Sequence, residues 1–121
     1  MIAEYVFSGL IVADRDDAID WYSRFMGRPP DMLPNEREAT WRLTPTSSLY
    51  IVVDPATAGR GVATIIVADL DAQIDRLREQ GIGEGEMEEV QGAGRKWVVR
   101  EPYGNSLSIV ELVGGPSESR P

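Results

Sequence analysis

The side chains able to do chemistry in this 121-residue chain are carboxylates, tyrosines, lysine and arginines, because cysteine and histidine are both absent. Without histidine there is no serine-histidine triad, no imidazole base and no histidine metal ligand. Without cysteine there is no thiol nucleophile, no thiolate metal site and no disulfide. Any catalysis would therefore use carboxylates, Tyr, Lys or Arg, or a metal ion held by oxygen atoms alone.

Carboxylates recur at every second position at Glu84, Glu86 and Glu88. Successive side chains of a strand point to opposite faces, so we expect these acids on one face, with Met87 and Glu89 on the other. An acidic strip beside a cavity would attract a cationic molecule. The favoured interpretation is a solvated strand edge whose charges prevent pairing with another strand.

The glycine-rich segment 81–85 has a phosphate-loop composition but the wrong context, because it follows a predicted helix and contains an acid. The formal charge of −8 also disfavours nucleic acid, which binds through basic side chains. No apolar run approaches the ~20 residues of a membrane helix. The N-terminus lacks the basic and apolar regions of a signal peptide. We therefore expect a cytoplasmic protein with no nucleic-acid and no membrane partner.

An internal repeat organises the chain. Residues 10–14 (LIVAD) and 65–69 (IIVAD) match, and an Ile-Asp pair follows each at the same spacing. Self-similarity of this kind indicates repeated structural units. The chain is therefore predicted to hold two copies of one unit.

Each copy is predicted to run strand, helix and three strands. The first run of branched aliphatics ends at an aspartate, Asp14 or Asp69, which suits a helix N-cap. Apolar residues follow with helical period, and Gly27 and Gly81 stand where a left-handed C-terminal cap is expected. Prolines after the first helix permit only a short or edge strand there. The other predicted strands are 5–12, 40–43, 49–53, 62–67, 86–90, 95–100 and 106–113.

The length suits one domain, since 121 residues cannot easily support two separate cores. We expect a single domain over residues 1–113, with module one at about 4–54 and module two at about 61–113. Residues 114–121 lack apolar anchors and are predicted to be a disordered tail.

Together these features resemble the glyoxalase/bleomycin-resistance, or vicinal oxygen chelate, superfamily. The segments that carry the resemblance, in this order and spacing, are 9–14, 18–22, 26–27, 66–71 and 100–107. The resemblance implies an α+β fold in which two βαβββ modules form a cupped, partly closed mixed sheet with the helices outside and a ligand cavity inside. It also implies a homodimer, because two chains commonly pair in the bleomycin-resistance branch.

In that superfamily a metal ion, where present, is held by the first and last strands of each module. Matching the two halves places Phe7 and Val62 at the first-strand positions and Tyr50 and Ser108 at the last-strand positions. Phe and Val have no donor atom, and neutral hydroxyls are poor ligands for a divalent ion. The resemblance therefore predicts neither a metal nor a cofactor here. A one-residue shift would bring Glu111 into the cavity, but strand alternation argues against it.

Period-two alternation then predicts a cavity with apolar and aromatic walls and a few hydroxyls, which is typical of a small-molecule pocket. The alternative is that these side chains fill a closed barrel. Trp41 is included because its ring could stack on a planar ligand, although it could instead be a core residue. The predicted ligand-binding residues, with no catalytic residue among them, are Tyr5, Phe7, Gly9, Trp41, Tyr50, Val52, Val62, Thr64, Ser108 and Val110.

The leading hypothesis is a metal-free binding protein that sequesters a small aromatic or cationic molecule, such as an antibiotic, as in the bleomycin-resistance branch. The alternative is an enzyme of the same fold, a lyase, isomerase or dioxygenase, with an unusual oxygen-ligand metal site or no metal. Its chemistry would need Glu4, Glu111, Tyr50 or an arginine in the pocket. A third possibility is a degenerate member that acts as a protein-interaction or regulatory module.

Overall fold

The computed structural model describes residues 1–113, so the tail predicted at 114–121 lies outside the described residues. The first module comprises β1 (Val6–Val12), α1 (Arg15–Met26), β2 (Met32–Asn35), β3 (Glu38–Thr44) and β4 (Ser47–Val53). The second module comprises β5 (Val62–Ile66), α2 (Leu70–Glu79), β6 (Gly85–Val90), β7 (Gly94–Arg100) and β8 (Ser106–Leu112). The α+β class and the duplicated βαβββ order predicted from the sequence are confirmed.

The chain divides into two compact units. The first unit holds residues 1–62 together with 102–105, and the second holds 63–101 together with the residues from 106 onward. Each unit contains one helix and a four-stranded sheet, with the strand order β1-β4-β3-β2 in the first and β5-β8-β7-β6 in the second. Each unit therefore corresponds to one predicted module, apart from the short turn at 102–105.

The sheet of the first unit is mixed, because β1 runs parallel to β4 whereas the other neighbours are antiparallel. Its edge strand β2 is 4 residues long and contains Pro34. This agrees with the prediction that proline restricts the segment to a short or edge strand, since proline cannot donate to a sheet ladder.

Helix α1 begins and ends where the sequence predicts. The Asp14 carboxylate accepts a hydrogen bond from the main-chain N of Asp17 at 2.9 Å. Gly27 closes the helix with a left-handed φ of 81°, a conformation that glycine adopts without steric cost. The helix packs on β3 and β4 through its buried stripe, which consists of Ala18, Trp21, Tyr22 and Phe25.

Helix α2 of the second unit is built in the same way. The Asp69 carboxylate accepts a hydrogen bond from the main-chain N of Ala72 at 3.1 Å, and Gly81 follows the last turn at a φ of 77°. The helix packs on β7 and β8 through the predicted apolar residues, Leu70, Ile74 and Leu77. Neither helix in residues 1–113 has the length and apolar character needed to cross a lipid bilayer.

The turn at 102–105 connects β7 to β8 but is part of the first unit. The buried Asn105 amide donates to the main-chain O of Ile11 at 2.8 Å and accepts from the main-chain N of Gly61 at 2.8 Å. The Tyr103 hydroxyl donates to the main-chain carbonyl of the α1 N-cap residue at 3.3 Å. Side chains of the turn therefore form hydrogen bonds with main-chain groups that follow β1 or lie at its end, and with one that precedes β5.

Candidate functional site

One face of the first sheet, turned away from α1, carries half of the predicted site residues. Tyr50 pairs in register with Gly9 and Thr40, whereas Trp41 pairs with Leu49. Since paired residues point to the same side of a sheet, Tyr50 and Trp41 lie on opposite faces. We call the side turned away from α1 the open face. On β1, β3 and β4 it carries Phe7, Gly9, Ile11, Glu38, Thr40, Arg42, Ser48, Tyr50 and Val52, with Tyr5 at its end.

Two aromatic rings stand together at one end of the open face. The ring centroids of Tyr5 and Phe7 are 4.8 Å apart, and the two side chains are 37% and 60% exposed. The Tyr5 hydroxyl and the Ser48 hydroxyl form a hydrogen bond of 2.5 Å, which holds the Tyr5 ring against the sheet. The pair presents a fixed apolar surface of the kind that stacks on planar molecules.

The Tyr50 ring lies over Gly9 of the neighbouring strand. A Cβ atom added to Gly9 would lie 2.5 Å from Tyr50 Cζ and 2.7 Å from its hydroxyl oxygen. Only glycine leaves room for the ring at this position. Tyr50 and the adjacent Val52 are half-buried, so the middle of the open face combines an aromatic ring, a hydroxyl and an aliphatic side chain.

The remaining predicted residues lie on β5 and β8. Val62 and Thr64 are exposed, whereas Ser108 and Val110 are buried, with 2% and 7% exposure. Ser108 thus contributes a neutral hydroxyl side chain that is almost fully buried.

The face of the second sheet that carries Ser108 and Val110 reaches an acidic edge strand. Two register rows cross it, Glu86 to Val98 to Ser108 and Glu88 to Lys96 to Val110. This pairing confirms that Glu86 and Glu88 share one face. Glu84, predicted to share that face, lies before the first residue of β6. Lys96 Nζ lies 3.9 Å from the Glu88 carboxylate, so the second row pairs an acid of β6 with a base of β7.

Trp41 does not lie with the other predicted site residues. Its pairing with Leu49 turns it toward α1, where it is fully buried and its ring centroid is 6.0 Å from that of Tyr22. Its indole Nε1 donates to the main-chain O of Arg28 at 3.0 Å. The structure therefore places Trp41 in the core, which is the alternative role considered for it above.

Several open-face residues are missing from the predicted ligand-binding residues, namely Ile11, Glu38, Thr40, Arg42 and Ser48. Ser48 could have been found, because it precedes Tyr50 by two positions on one strand and so shares its face. Thr40 could not, because its place beside Tyr50 depends on the register between β3 and β4.

Glu111, the residue that a shifted register would bring into the cavity, has a structural role. One carboxylate oxygen accepts from the main-chain N of Leu70 at 3.0 Å, and the other lies 3.4 Å from the Arg95 guanidinium. Arg95 also pairs with Asp71 at 3.2 Å. Hydrogen bonds to Asp71 and then to Glu111 raise the pKa of Arg95 above its ordinary value. Glu111 therefore caps α2 and pairs with Arg95.

The four positions at which the superfamily holds a metal ion do not supply suitable donors. Phe7 and Val62 have no donor atom, the Tyr50 hydroxyl lies against Gly9, and Ser108 offers one neutral hydroxyl. Divalent ions favour carboxylate, imidazole or thiolate ligands. Within residues 1–113, no group of three or more acidic side chains is placed to hold a metal. The residues present therefore do not fit the ion.

The fold matches solved structures, although no family model and no curated protein matches the chain in sequence. A glyoxalase/bleomycin resistance protein from Catenulispora acidiphila DSM 44928 is 33% identical, with a TM-score of 0.85, over 92% of this chain and 100% of that chain. The antibiotic-binding protein TnmS3 from Streptomyces sp. CB03234 is 22% identical, with a TM-score of 0.69, over 93% and 98%. The bleomycin-binding protein from Streptomyces verticillus, solved with copper(II)-bleomycin, is 21% identical, with a TM-score of 0.68, over 88% and 94%.

The last two similarities show the fold alone, whereas the first extends to the sequence. The duplicated βαβββ order and a relative that is 33% identical along its whole length establish that the chain belongs to the glyoxalase/bleomycin-resistance family of the vicinal oxygen chelate superfamily.

Proposed function

We propose that this protein is a metal-free binding protein that sequesters a small aromatic or cationic molecule, such as an antibiotic. The observation that carries the proposal is the open face, where the Tyr5 and Phe7 rings are 37% and 60% exposed and Tyr50 adds a third ring. Full burial of one such side chain is worth about 1.5–3 kcal/mol, so a flat ligand covering these rings gains a substantial part of that stabilisation. The half-buried Tyr50 side chain adds a hydroxyl that can orient its polar edge.

Binding without bond cleavage suits the residue chemistry of this chain. The metal-holding positions carry Phe7, Tyr50, Val62 and Ser108, and Glu111 is engaged in capping α2. Desolvation of the ligand between aromatic and aliphatic side chains is enough to account for affinity.

Two structural neighbours support this choice of ligand. TnmS3 is an antibiotic-binding protein, and the Streptomyces verticillus protein binds bleomycin. They share the fold with this chain at 22% and 21% identity. The extension of antibiotic binding to this chain is part of our proposal.

We further propose that the protein acts as a cytoplasmic homodimer. The expectation follows from pairing in the bleomycin-resistance branch, and the net charge of −8 leaves nucleic acid out as a partner. Sedimentation velocity tests the dimer directly. A species at the single-chain mass of 13.4 kDa at all concentrations would contradict it.

Isothermal titration calorimetry with bleomycin, copper(II)-bleomycin and a panel of aromatic cationic antibiotics tests the binding function. Phe7→Ala removes an exposed ring of the open face and should weaken binding about 10- to 100-fold. Val6→Ala is the matched control, because Val6 is 53% exposed but pairs with Ser47 and points to the other face. A wild-type protein that binds no member of the panel would contradict the proposal.

Elemental analysis of the purified protein separates the binding protein from the enzyme alternative. Protein that lacks stoichiometric metal and still binds an antibiotic supports the proposal. One tightly held metal ion per chain would instead favour an enzyme with an unusual oxygen-ligand site.

A further inference from the structure

A groove lies at the end of β3 in the first unit, beside the turn that joins β3 to β4. Its volume is about 470 Å³, within the range of ~300–1,000 Å³ that small-molecule sites occupy. Two arginines, one acid and the residues at the end of β3 and in the turn line it: Arg28, Asp31, Arg42, Leu43, Thr44 and Pro45. Two guanidinium groups accompany one carboxylate, so the groove is locally cationic in a chain whose net charge is −8.

The two arginines of the groove differ in how their charges are balanced. Arg28 forms an ion pair with Asp31 at 3.3 Å. The Arg42 guanidinium instead donates from Nε and Nη2 to the main-chain carbonyls of Thr44 and Pro45, at 3.3 and 2.8 Å. Among residues 1–113 it has no ion pair, and its Nη1 makes no hydrogen bond. Arg42 therefore presents a guanidinium that the turn holds in place, with free donors and no carboxylate partner.

Arg42 belongs to the open face and lies in line with one of its exposed rings. Ser48 pairs in register with Phe7 on one side and with Arg42 on the other, so the three residues share a face. Neighbouring strands are ~4.8 Å apart, which places the main chains of Phe7 and Arg42 about 10 Å from each other. The turn also adjoins the start of β1, because the main-chain N of Val6 donates to the main-chain O of Thr46 at 3.0 Å. A planar molecule lying on the Phe7 ring can therefore extend a short arm to the Arg42 guanidinium.

We infer that Arg42 binds an acidic group of the ligand, and that the open face takes a planar aromatic compound carrying a carboxylate. The inference rests on the proposed function, because it names the ligand class of that same face. A guanidinium suits a carboxylate, since its planar array of N–H groups can donate to both oxygens. A cationic group is disfavoured at this end of the face, because the carboxylate of the groove, Asp31, already pairs with Arg28.

A matched pair of probes tests the charge requirement. 1-Naphthylacetate carries a carboxylate at pH 7, and 2-(1-naphthyl)ethanol has the same ring system and arm without charge. In isothermal titration calorimetry, the wild-type protein should bind the acid more tightly than the alcohol. Arg42→Gln should weaken binding of the acid about three- to fivefold, the range for an exposed ion pair, and should affect the alcohol much less.

Arg37→Gln is the matched control for the loss of positive charge. Arg37 is also exposed and also donates to a main-chain carbonyl, that of Val53, at 2.7 Å. It precedes the first residue of β3 and so stands at the opposite end of that strand from the groove. Equal weakening of the acid by Arg37→Gln and Arg42→Gln would overturn the inference, since it would reveal only a general charge effect.

Other results would overturn the inference and leave the binding function intact. They are unchanged affinity for the acid in Arg42→Gln, equal weakening of the acid and the alcohol in that variant, and a wild-type preference for the alcohol. A wild-type protein that binds an antibiotic but neither probe would also overturn the inference alone. Failure of the wild-type protein to bind either probe or any antibiotic would reject both the inference and the proposed function.

Discussion

The Tyr50 ring rests on Gly9, so closely that a Cβ atom on Gly9 would stand 2.5 Å from the ring carbon Cζ. Gly9→Ala should therefore push the ring off the sheet. Overpacking typically costs about 1–3 kcal/mol, and we expect the lower end because the far end of the side chain can swing away. Urea unfolding measures the stability, and titration with an antibiotic of the calorimetry panel measures the lost ring contact.

A double-mutant cycle identifies the cause of that effect. In a Tyr50→Ala background, Gly9→Ala should cost much less, because the clash is gone. Gly83→Ala is the control, since its added Cβ would lie 3.5 Å from its nearest neighbour, Arg78 Cγ. Equal costs of Gly9→Ala in both backgrounds would contradict the proposed ring contact.

Asn105 forms hydrogen bonds with two main-chain groups outside its own turn. Its side chain is 4% exposed and bonds to Ile11 and Gly61 at 2.8 Å each. Asn105→Ala should lower the free energy of unfolding by about 1–3 kcal/mol, because the Gly61 amide loses its acceptor. The Ile11 carbonyl keeps its second donor, the main-chain N of Gly59 at 3.1 Å. Asn35→Ala, at an exposed position, should cost under about 1 kcal/mol. Similar urea midpoints for the two variants would show that the Asn105 bonds contribute little.

Substitutions at Glu111 distinguish a role in capping α2 from a role in catalysis. Glu111→Gln retains an acceptor for the Leu70 amide, which lies 3.0 Å away, and should cost under about 1 kcal/mol. Glu111→Ala should cost about 1–2 kcal/mol, as expected for loss of a helix cap. Both variants should bind the ligand as the wild type does. Loss of binding at unchanged thermal stability would point to a direct role in the site.

The ionisation of Asp31 makes the free energy of unfolding depend on pH in the acid range. Its carboxylate accepts from the Arg42 main-chain N at 2.6 Å and from the Arg28 guanidinium at 3.3 Å. The Arg42 hydrogen bond, followed by the two guanidinium groups, holds the pKa of Asp31 below its ordinary value. Folding therefore favours the charged form. Its stabilisation is full well above the unfolded pKa of about 3.9 and is lost as pH falls through the lower folded pKa.

Asp31→Asn should consequently be less stable than the wild type at pH 7, and the difference should shrink toward about pH 2. Urea unfolding at several pH values measures this. Glu4→Gln, an exposed acid near the N-terminus, is the control and should not reproduce the pH-dependent difference. A constant difference between Asp31→Asn and the wild type across this range would contradict the titration argument.

Local chemistry made much of the fold predictable from the sequence. Asp14 and Asp69 cap the two helices by bonds that span three residues, so their effect can be recognised without knowledge of distant contacts. Alternation along single strands likewise placed Phe7 and Gly9 on one face and predicted the shared face of Glu86 and Glu88.

Features that depend on register between strands could not be predicted in this way. Trp41 and Thr40 are neighbours in sequence, but pairing with β4 turns Trp41 to the core and Thr40 to the open face. The capping of α2 by Glu111 joins residues that are 41 positions apart. Aromatic character alone suggested a ligand contact for Trp41, whereas the pairing of β3 determines its actual role.

The turn at 102–105 belongs to the first unit although it follows β7 of the second module, so a cut in the linker does not separate the two units. A cut within the linker at 54–61 would separate Asn105 from the first half of the chain. The carbonyl of Ile11 would then lose the hydrogen bond from the Asn105 amide. Separately expressed halves should therefore be poor folders, and split-protein complementation would need both pieces present during refolding. The repeat is visible in the sequence, but the bonds of Asn105 make the first repeat depend on residues that follow the second helix.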